Sequence, residues 1–334
     1  MAFNTTNNDT TSPEIEELPT LLQTESSKAA AASHLAHPHV TRKPLIIDLS
    51  KEAEDEKQST AAAAEQVHTA FEFLNVNEPR FKFSWMEKAR LTGWEDKDVQ
   101  AHLFKWGMQE HCYLKRFTFD RNLGPYEVDG FLLDFFNDAE VQKQLKVQCT
   151  MDRWGNLGRV SKVEKEETMH TVTSLTFFDR LTTKADIIRV DGSIRKCMDE
   201  YTDGGFLVAD ELRKCLLMPE AETYPVFSEA DRREFVFHVF KAVCLGGRLC
   251  QYEDEIGPYL DATKKIYKDL ISVTKDRETG KLAVSSHVFQ IKSLESSVSP
   301  LFPIQHPQNF CYISVDPVKR YVNVFYHASD VYYN

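Results

Sequence analysis

The chain contains one aromatic residue, Phe3, before position 68, and then five in the fifteen residues from Phe71 to Trp85. A core needs large apolar side chains to outweigh the entropy of ordering the chain, so this boundary decides where a core can form. Residues 1–65 carry eleven Asp/Glu against five Lys/Arg, more than half of the formal charge of −11, and are otherwise rich in Thr, Asn, Ser and Ala. That composition predicts a disordered acidic tail over residues 1–67 and one globular domain over 68–330. Inside the tail, KPLIIDL (Lys43–Leu49) reads either as a short docking motif or as an incidental apolar run in a linker. His34, His37 and His39 sit close together but lack a fourth ligand for zinc.

With 334 residues and 42% hydrophobic content, the chain is long enough and apolar enough to bury a sizeable core. The acidic balance argues against nucleic acid and anionic membranes as partners, since both demand Lys/Arg-rich faces. The N-terminal MAFNTTNNDTTS has neither a basic nor an apolar signal region, and no run approaches the length of a membrane span. Seven scattered cysteines, an odd number set mostly in apolar runs, read as reduced core thiols of a cytosolic protein.

Periodicity predicts an α+β fold with antiparallel strands at both ends of a helical middle. DKDVQAHLFKWG places Val99, Leu103 and Trp106 on one helical face, with Asp96 and Asp98 in front and Gly107 behind. HCYLKRFTFD reads as a strand and YEVDGFLLDFFND as a buried helix. LKVQCTMD and TVTSLTFF read as strands, and Gly155 to Gly158 as a turn. SEADRREFVFHVFKAVCLGG reads as one helix opened by a Ser228–Asp231 capping box and closed by Gly246. Pro258 suits the first turn of the next helix, whose apolar stripe runs from Tyr259 to Ile271. RETGK (Arg277–Lys281) turns the chain into LAVSSHVFQI, and FCYISVDPVKRYVNVFYH closes it as a hairpin in which Val322, Val324 and Tyr326 share a face.

The stretch CLGGRLCQYEDEIGPYL, residues 244–260, holds the densest collection of chemistry-bearing residues. A phosphate loop needs glycines before a helix, whereas Gly246 and Gly247 follow one. Cys244 and Cys250 are five residues apart rather than two, and Cys244 sits at the negative end of a helix, which disfavours a thiolate. Glu253, Asp254 and Glu255 lack the spacing of a calcium loop, and neither CxxC nor HExxH nor GxSxG occurs. No catalytic, cofactor or metal residues are assigned, although a Cys–His pair assembled by folding remains an open alternative. The positive reading is geometric: Gly246, Gly247 and Pro258 form a tight corner, which presents Arg248, Gln251, Tyr252, Glu253 and Asp254 as a candidate protein-binding surface. The alternative is an αα corner with Tyr252 packed inward.

Phe235–Val273, with its CLGG-x-LCQYED corner and PYL-x-x-TK-x-IYKDL-x-SV helix, resembles the cilia- and flagella-associated protein 300 family. FFDRL (177–181), ADELRKCLL (209–217), SEADRREF (228–235), DPVKRYVNVFYH (316–327) and WGMQEHCYLKRFTFD (106–120) are similar to the same family, so the resemblance covers most of residues 70–328. It implies a non-enzymatic protein of cytoplasm and axoneme, needed for assembly or delivery of outer and inner dynein arms. The partners it implies are axonemal dynein chains and cytoplasmic dynein assembly factors or chaperones. An axonemal structural or transport-adaptor role is the alternative, with a cysteine-dependent enzyme more remote.

Overall fold

The computed structural model describes residues 79–150, 153–275, 280 and 282–329. The expected tail and its KPLIIDL motif lie outside the described residues, as does most of the RETGK turn. Along the chain the strands are β1 (Phe83–Trp85), β2 (Cys112–Phe119), β3 (Val147–Thr150), β4 (Arg153–Gly155), β5 (Val160–Glu167) and β6 (Lys196–Tyr201). They continue with β7 (Leu207–Asp210), β8 (Val273–Lys275), β9 (Leu282–Val284), β10 (His287–Ser296), β11 (Phe310–Asp316) and β12 (Tyr321–His327). The helices are α1 (Lys97–Lys105), α2 (Val128–Asn137), α3 (Ala139–Gln144), α4 (Arg180–Thr183), α5 (Glu211–Leu217), α6 (Glu229–Arg233), α7 (Phe235–Leu245) and α8 (Gly257–Leu270). The fold is α+β, with an antiparallel principal sheet.

That sheet has six strands in the order β1-β2-β12-β11-β10-β5. Strand β2, from the start of the described chain, pairs with β12 from its end, Cys112 opposite His327 and Thr118 opposite Tyr321. Because side chains alternate across a strand, each strand feeds two layers. Phe117, Ile313, Val322, Val324 and Tyr326 pack with Phe131, Leu132, Phe135 and Phe136 of α2. Leu114, Val288, Phe310, Tyr312 and Phe325 pack on the other side with α1, α7 and α8. The sheet is thus buried on both faces, and this explains why β11 is buried along its whole length. In the terminal hairpin Val322, Val324 and Tyr326 do share a face, while the opposite face carries Phe325 into the second core and buries His327.

Two local readings, the TVTSLTFF strand and the single helix from Ser228, are corrected. TVTSLTFF forms no strand: Ser174 caps a single 3₁₀ turn, Leu175–Phe178, that drives Phe177 and Phe178 into the core. LAVSSHVFQI divides into β9 and β10. The long helix from Ser228 is two helices, broken at Glu234, although the capping box forms as expected. Glu234 adopts extended backbone because Met169 pairs beside it: Phe235 N donates to Met169 O at 2.7 Å and Met169 N to Arg233 O at 2.8 Å. The buried Glu234 carboxylate then accepts from Thr171 N at 3.0 Å, from Val172 N at 3.3 Å and from the Thr171 hydroxyl.

Glu234→Ala strips those donors of their acceptor inside the protein. It should lower stability by about 1–3 kcal/mol, the cost of unsatisfied buried polar groups. Urea unfolding against wild type checks it, and a loss below about 0.5 kcal/mol, the scale of an ordinary surface change, would remove Glu234 from this role.

Candidate functional site: a glycine junction and its apolar rim

Helix α7 ends where Gly246 takes φ +62°, donating its N–H to Ala242 O at 3.1 Å. Helix α1 ends at Gly107, φ +67°. The two ends interlock through backbone: Gly247 N donates to Trp106 O at 2.8 Å and Gln251 N to Lys105 O at 3.1 Å. A Cβ on Gly107 would overlap the Arg248 carbonyl, and one on Gly247 would overlap the Gly107 carbonyl and lie 2.8 Å from His327 Nε2. Gln308 Nε2 donates to Leu245 O at 2.9 Å and Gly247 O at 3.0 Å, satisfying carbonyls that a helix end leaves free. The glycines therefore permit a three-way approach of α1, α7 and the end of β12. The αα corner read from sequence lacks α1, its principal partner.

The five candidate binding residues divide by direction. Glu253 is turned inward, with its side chain only 12% exposed. Its carboxylate accepts from Lys105 Nζ at 2.7 Å and Trp106 Nε1 at 3.1 Å, and His102 Nδ1 lies 3.6 Å away. Burial works against its charge, but the hydrogen bonds from Lys105 and Trp106 outweigh burial and hold its pKa below the usual carboxylate value. Tyr252 is half-buried, its ring 3.4 Å from the Arg213 guanidinium carbon. Asp254 is exposed and paired with Lys196 at 2.8 Å, while its carbonyl receives Ile194 N. Gln251 is exposed and Arg248 is half-buried. Pro258 stands in the first turn of α8, as expected.

Arg213 was invisible as a site residue in sequence. It is fully buried, paired with Asp210, donating to Tyr259 Oη at 2.7 Å and stacked on Tyr252. Burial opposes its charge, yet Asp210 and the tyrosines beside it raise its pKa above the ordinary arginine value. The available signal was Asp210 three residues ahead, which caps α5 by accepting Arg213 N at 2.8 Å.

Beside the junction lies a cleft of about 620 Å³ lined by Phe104, Lys105, Gly107, Arg248, Leu249 and Gln251 among others. Phe104 is 73% exposed and Leu249 86%. Leu249 also takes φ +58°, a left-handed conformation that a branched side chain adopts only at a cost. The seven cysteines are unpaired. Burial raises the thiol pKa of Cys112, Cys197, Cys215, Cys244, Cys250 and Cys311, that of Cys250 to about 12, which opposes thiolate formation. Among the described residues no cluster of three or more His, Cys, Asp or Glu is placed to hold a metal, and no helix is long and apolar enough to cross a membrane.

Two outcomes test the junction. Gly247→Ala should destabilise strongly, because its Cβ meets backbone, whereas Gly257→Ala, with open space around it, should be tolerated; thermal melting distinguishes them. Glu253 has a folded pKa depressed below the ordinary carboxylate value of 4.5, so its contribution is present above that pH and is lost as pH falls through the folded value. Wild type should therefore lose more stability than Glu253→Gln between about pH 5 and pH 3, measured by urea midpoints; parallel curves would contradict the clamp.

A family model described as cilia- and flagella-associated protein 300 matches residues 80–327. A relative of that name from Chlamydomonas reinhardtii is 38% identical over 239 residues, 70% of this chain and 92% of its own length. Another, from Paramecium tetraurelia, is 36% identical over 230 residues, 69% of this chain and 87% of its own. No solved structure matches. With the profile spanning the sheet, both helical layers and the junction, the chain belongs to the cilia- and flagella-associated protein 300 family.

Proposed function

We propose that the chain is a non-catalytic binding protein of cilia and flagella, which serves assembly or delivery of outer and inner axonemal dynein arms. It works in cytoplasm and axoneme by engaging dynein chains or their assembly chaperones. Family membership supports the ciliary setting, and the upward shift of six thiols argues against cysteine catalysis. The observation that carries binding is the pair Phe104 and Leu249 on one cleft. Leu249 costs free energy twice, about 1–3 kcal/mol for a left-handed non-glycine residue and more for an apolar side chain left in water. Helix termination does not require it, because Gly246 has already ended α7. A partner that covers the cleft recovers the second of these costs.

The surface belongs to Phe104, Arg248, Leu249 and Gln251, while Glu253 supports it from within. Immunoprecipitation from cytoplasm of ciliating cells should recover a dynein chain or an assembly chaperone with the wild-type chain. Phe104→Asp combined with Leu249→Asp should reduce that recovery at least tenfold with melting nearly unchanged, since exposed substitutions move stability by less than about 0.5 kcal/mol. Asp also tolerates positive φ better than Leu. Recovery of neither class by wild type would sink the reading, and salt-resistant retention in isolated axonemes would favour a structural or adaptor role instead.

A further inference from the structure

Strands β6 and β7 form a two-stranded ribbon whose sides differ in what covers them. Phe206 and Val208 are buried against Met218, Ala221 and Leu245. Val208 lies opposite Glu200 and Leu207 opposite Tyr201, so alternation sends the Tyr201–Leu207 pair to the other face. There Tyr201 is 68% exposed and Leu207 38%. The ribbon also bulges: from Lys196 to Glu200, β6 takes four residue steps while β7 takes two, from Asp210 to Val208. Met198 sits on that bulge and is 85% exposed. Bulges re-aim the side chains they carry, and this one turns a large apolar group into water. The Tyr201–Leu207 contact itself stabilises the ribbon by at most about 1 kcal/mol, and it does not account for Met198.

The charges around this side are unbalanced. From Lys196 to Lys214 every cation is already held: Lys196 by Asp254, Arg213 by Asp210 and Lys214 by Glu200. Arg195, just outside, is paired with Asp186, and Arg189 on the preceding turn acts on Asp191. Asp199, Asp203 and Glu211 make no ion pair among the described residues. Exposed apolar groups set among uncompensated carboxylates call for an occupant with an apolar stripe and cationic flanks. Nucleic acid and anionic membranes fail that test, because the same carboxylates repel them. Spacing favours a helix: Met198 and Tyr201 are three residues apart, about 10 Å along the strand, and apolar positions i and i+7 of a helix are about 10.5 Å apart.

We propose that the exposed side of the β6–β7 ribbon, formed by Met198, Tyr201 and Leu207 with Asp199 and Asp203 beside them, docks a basic amphipathic helix of a protein partner. This surface shares no residue with the lining of the Phe104–Leu249 cleft, and it stands whether or not dynein chains or chaperones bind there. Three apolar side chains make a small contact, so the affinity is micromolar and sensitive to salt.

The experiment uses purified full-length protein and a fluorescent designed helix of roughly 14 residues, about four turns, with leucine on one face and lysine on the other. The same peptide with glutamate for lysine is the control. The basic peptide should bind about tenfold more tightly than the acidic one, and added salt should weaken it. Met198→Ser combined with Tyr201→Ser should reduce its affinity about tenfold with melting nearly unchanged, because both side chains are exposed. Methyl NMR of methionine-labelled protein locates the contact: the Met198 signal, assigned by its loss in Met198→Leu, should shift when the basic peptide is added. Phe104→Asp/Leu249→Asp should bind the peptide as wild type does. Equal affinity for the two peptides, an unmoved Met198 signal, or full affinity in the Met198→Ser/Tyr201→Ser variant would each overturn the proposal. Loss of binding in Phe104→Asp/Leu249→Asp would move the contact to the cleft and overturn it as well. A wild-type dimer that Met198→Ser/Tyr201→Ser abolishes would assign the face to a second copy instead. None of these results depends on dynein or chaperone recovery, so this proposal and the binding function fail separately.

Discussion

The pairing of β2 with β12 is the contact on which the remaining architecture depends. It joins residues 112–119 to residues 321–327 through seven aligned positions. Closing a loop of about 200 residues costs about 5 kcal/mol of chain entropy. Phe117, Val322, Val324, Phe325 and Tyr326 become buried along that ladder, each contributing about 1.5–3 kcal/mol, which exceeds the closure cost before the backbone hydrogen bonds are considered. Once the ladder forms, β11, β10 and β5 extend the sheet from β12, and the helices between β2 and β11 that meet the sheet pack on one face or the other. The two helical layers are consequences: α2 covers the face of Val322 and Val324, and α1, α7 and α8 cover that of Phe325.

Local chemistry in the sequence predicted local structure and failed where distant backbone decides. The Ser228–Asp231 capping box, the Asp96 cap of α1, Pro258 and the Gly246 terminus were readable because each depends on neighbours within four residues. The break at Glu234 was not, since the 3.6-residue apolar pattern continues through it and its cause is the backbone of Met169 to Val172. TVTSLTFF has the β-branched content of a strand, yet Phe177 and Phe178 sit next to each other and must both be buried. A strand would send them to opposite faces, and the 3₁₀ turn resolves that conflict. Asp269 also depends on distant backbone: it is buried and accepts both Gly93 N and Trp94 N at 2.7 Å.

The candidate site was legible as a corner and illegible as a junction. Paired glycines after an apolar helix announce a close backbone approach, but nothing near residue 246 says that the approaching chain is Gly107. The inward direction of Glu253 was equally hidden, because an acid in a short polar connector reads as exposed until its partners Lys105 and Trp106 arrive from α1. Chemistry in this region is structural. His327, buried at the end of β12, has its pKa lowered to about 4 by burial, so the ring is neutral and Nδ1 donates to Gln308 O at 2.8 Å. Gln308 in turn holds the end of α7. The polar groups of the junction fix three elements against one another.

That rigidity bears on the binding role proposed above. Phe104 belongs to α1 and Leu249 to the connector after α7, so the separation of the two apolar anchors is set by how α1 docks on the corner. The docking rests on the Gly247–Trp106 and Gln251–Lys105 backbone bonds and on the Glu253 carboxylate gripping Lys105 and Trp106. Anchors held in place lose little entropy when a ligand arrives, which favours affinity from a small surface. Substitutions around the cleft therefore act in two ways. Those at Phe104 or Leu249 remove contact area and leave the platform intact. Those at Glu253 or Gly247 leave the contact atoms in place and release the spacing between them, in proportion to how far α1 is freed.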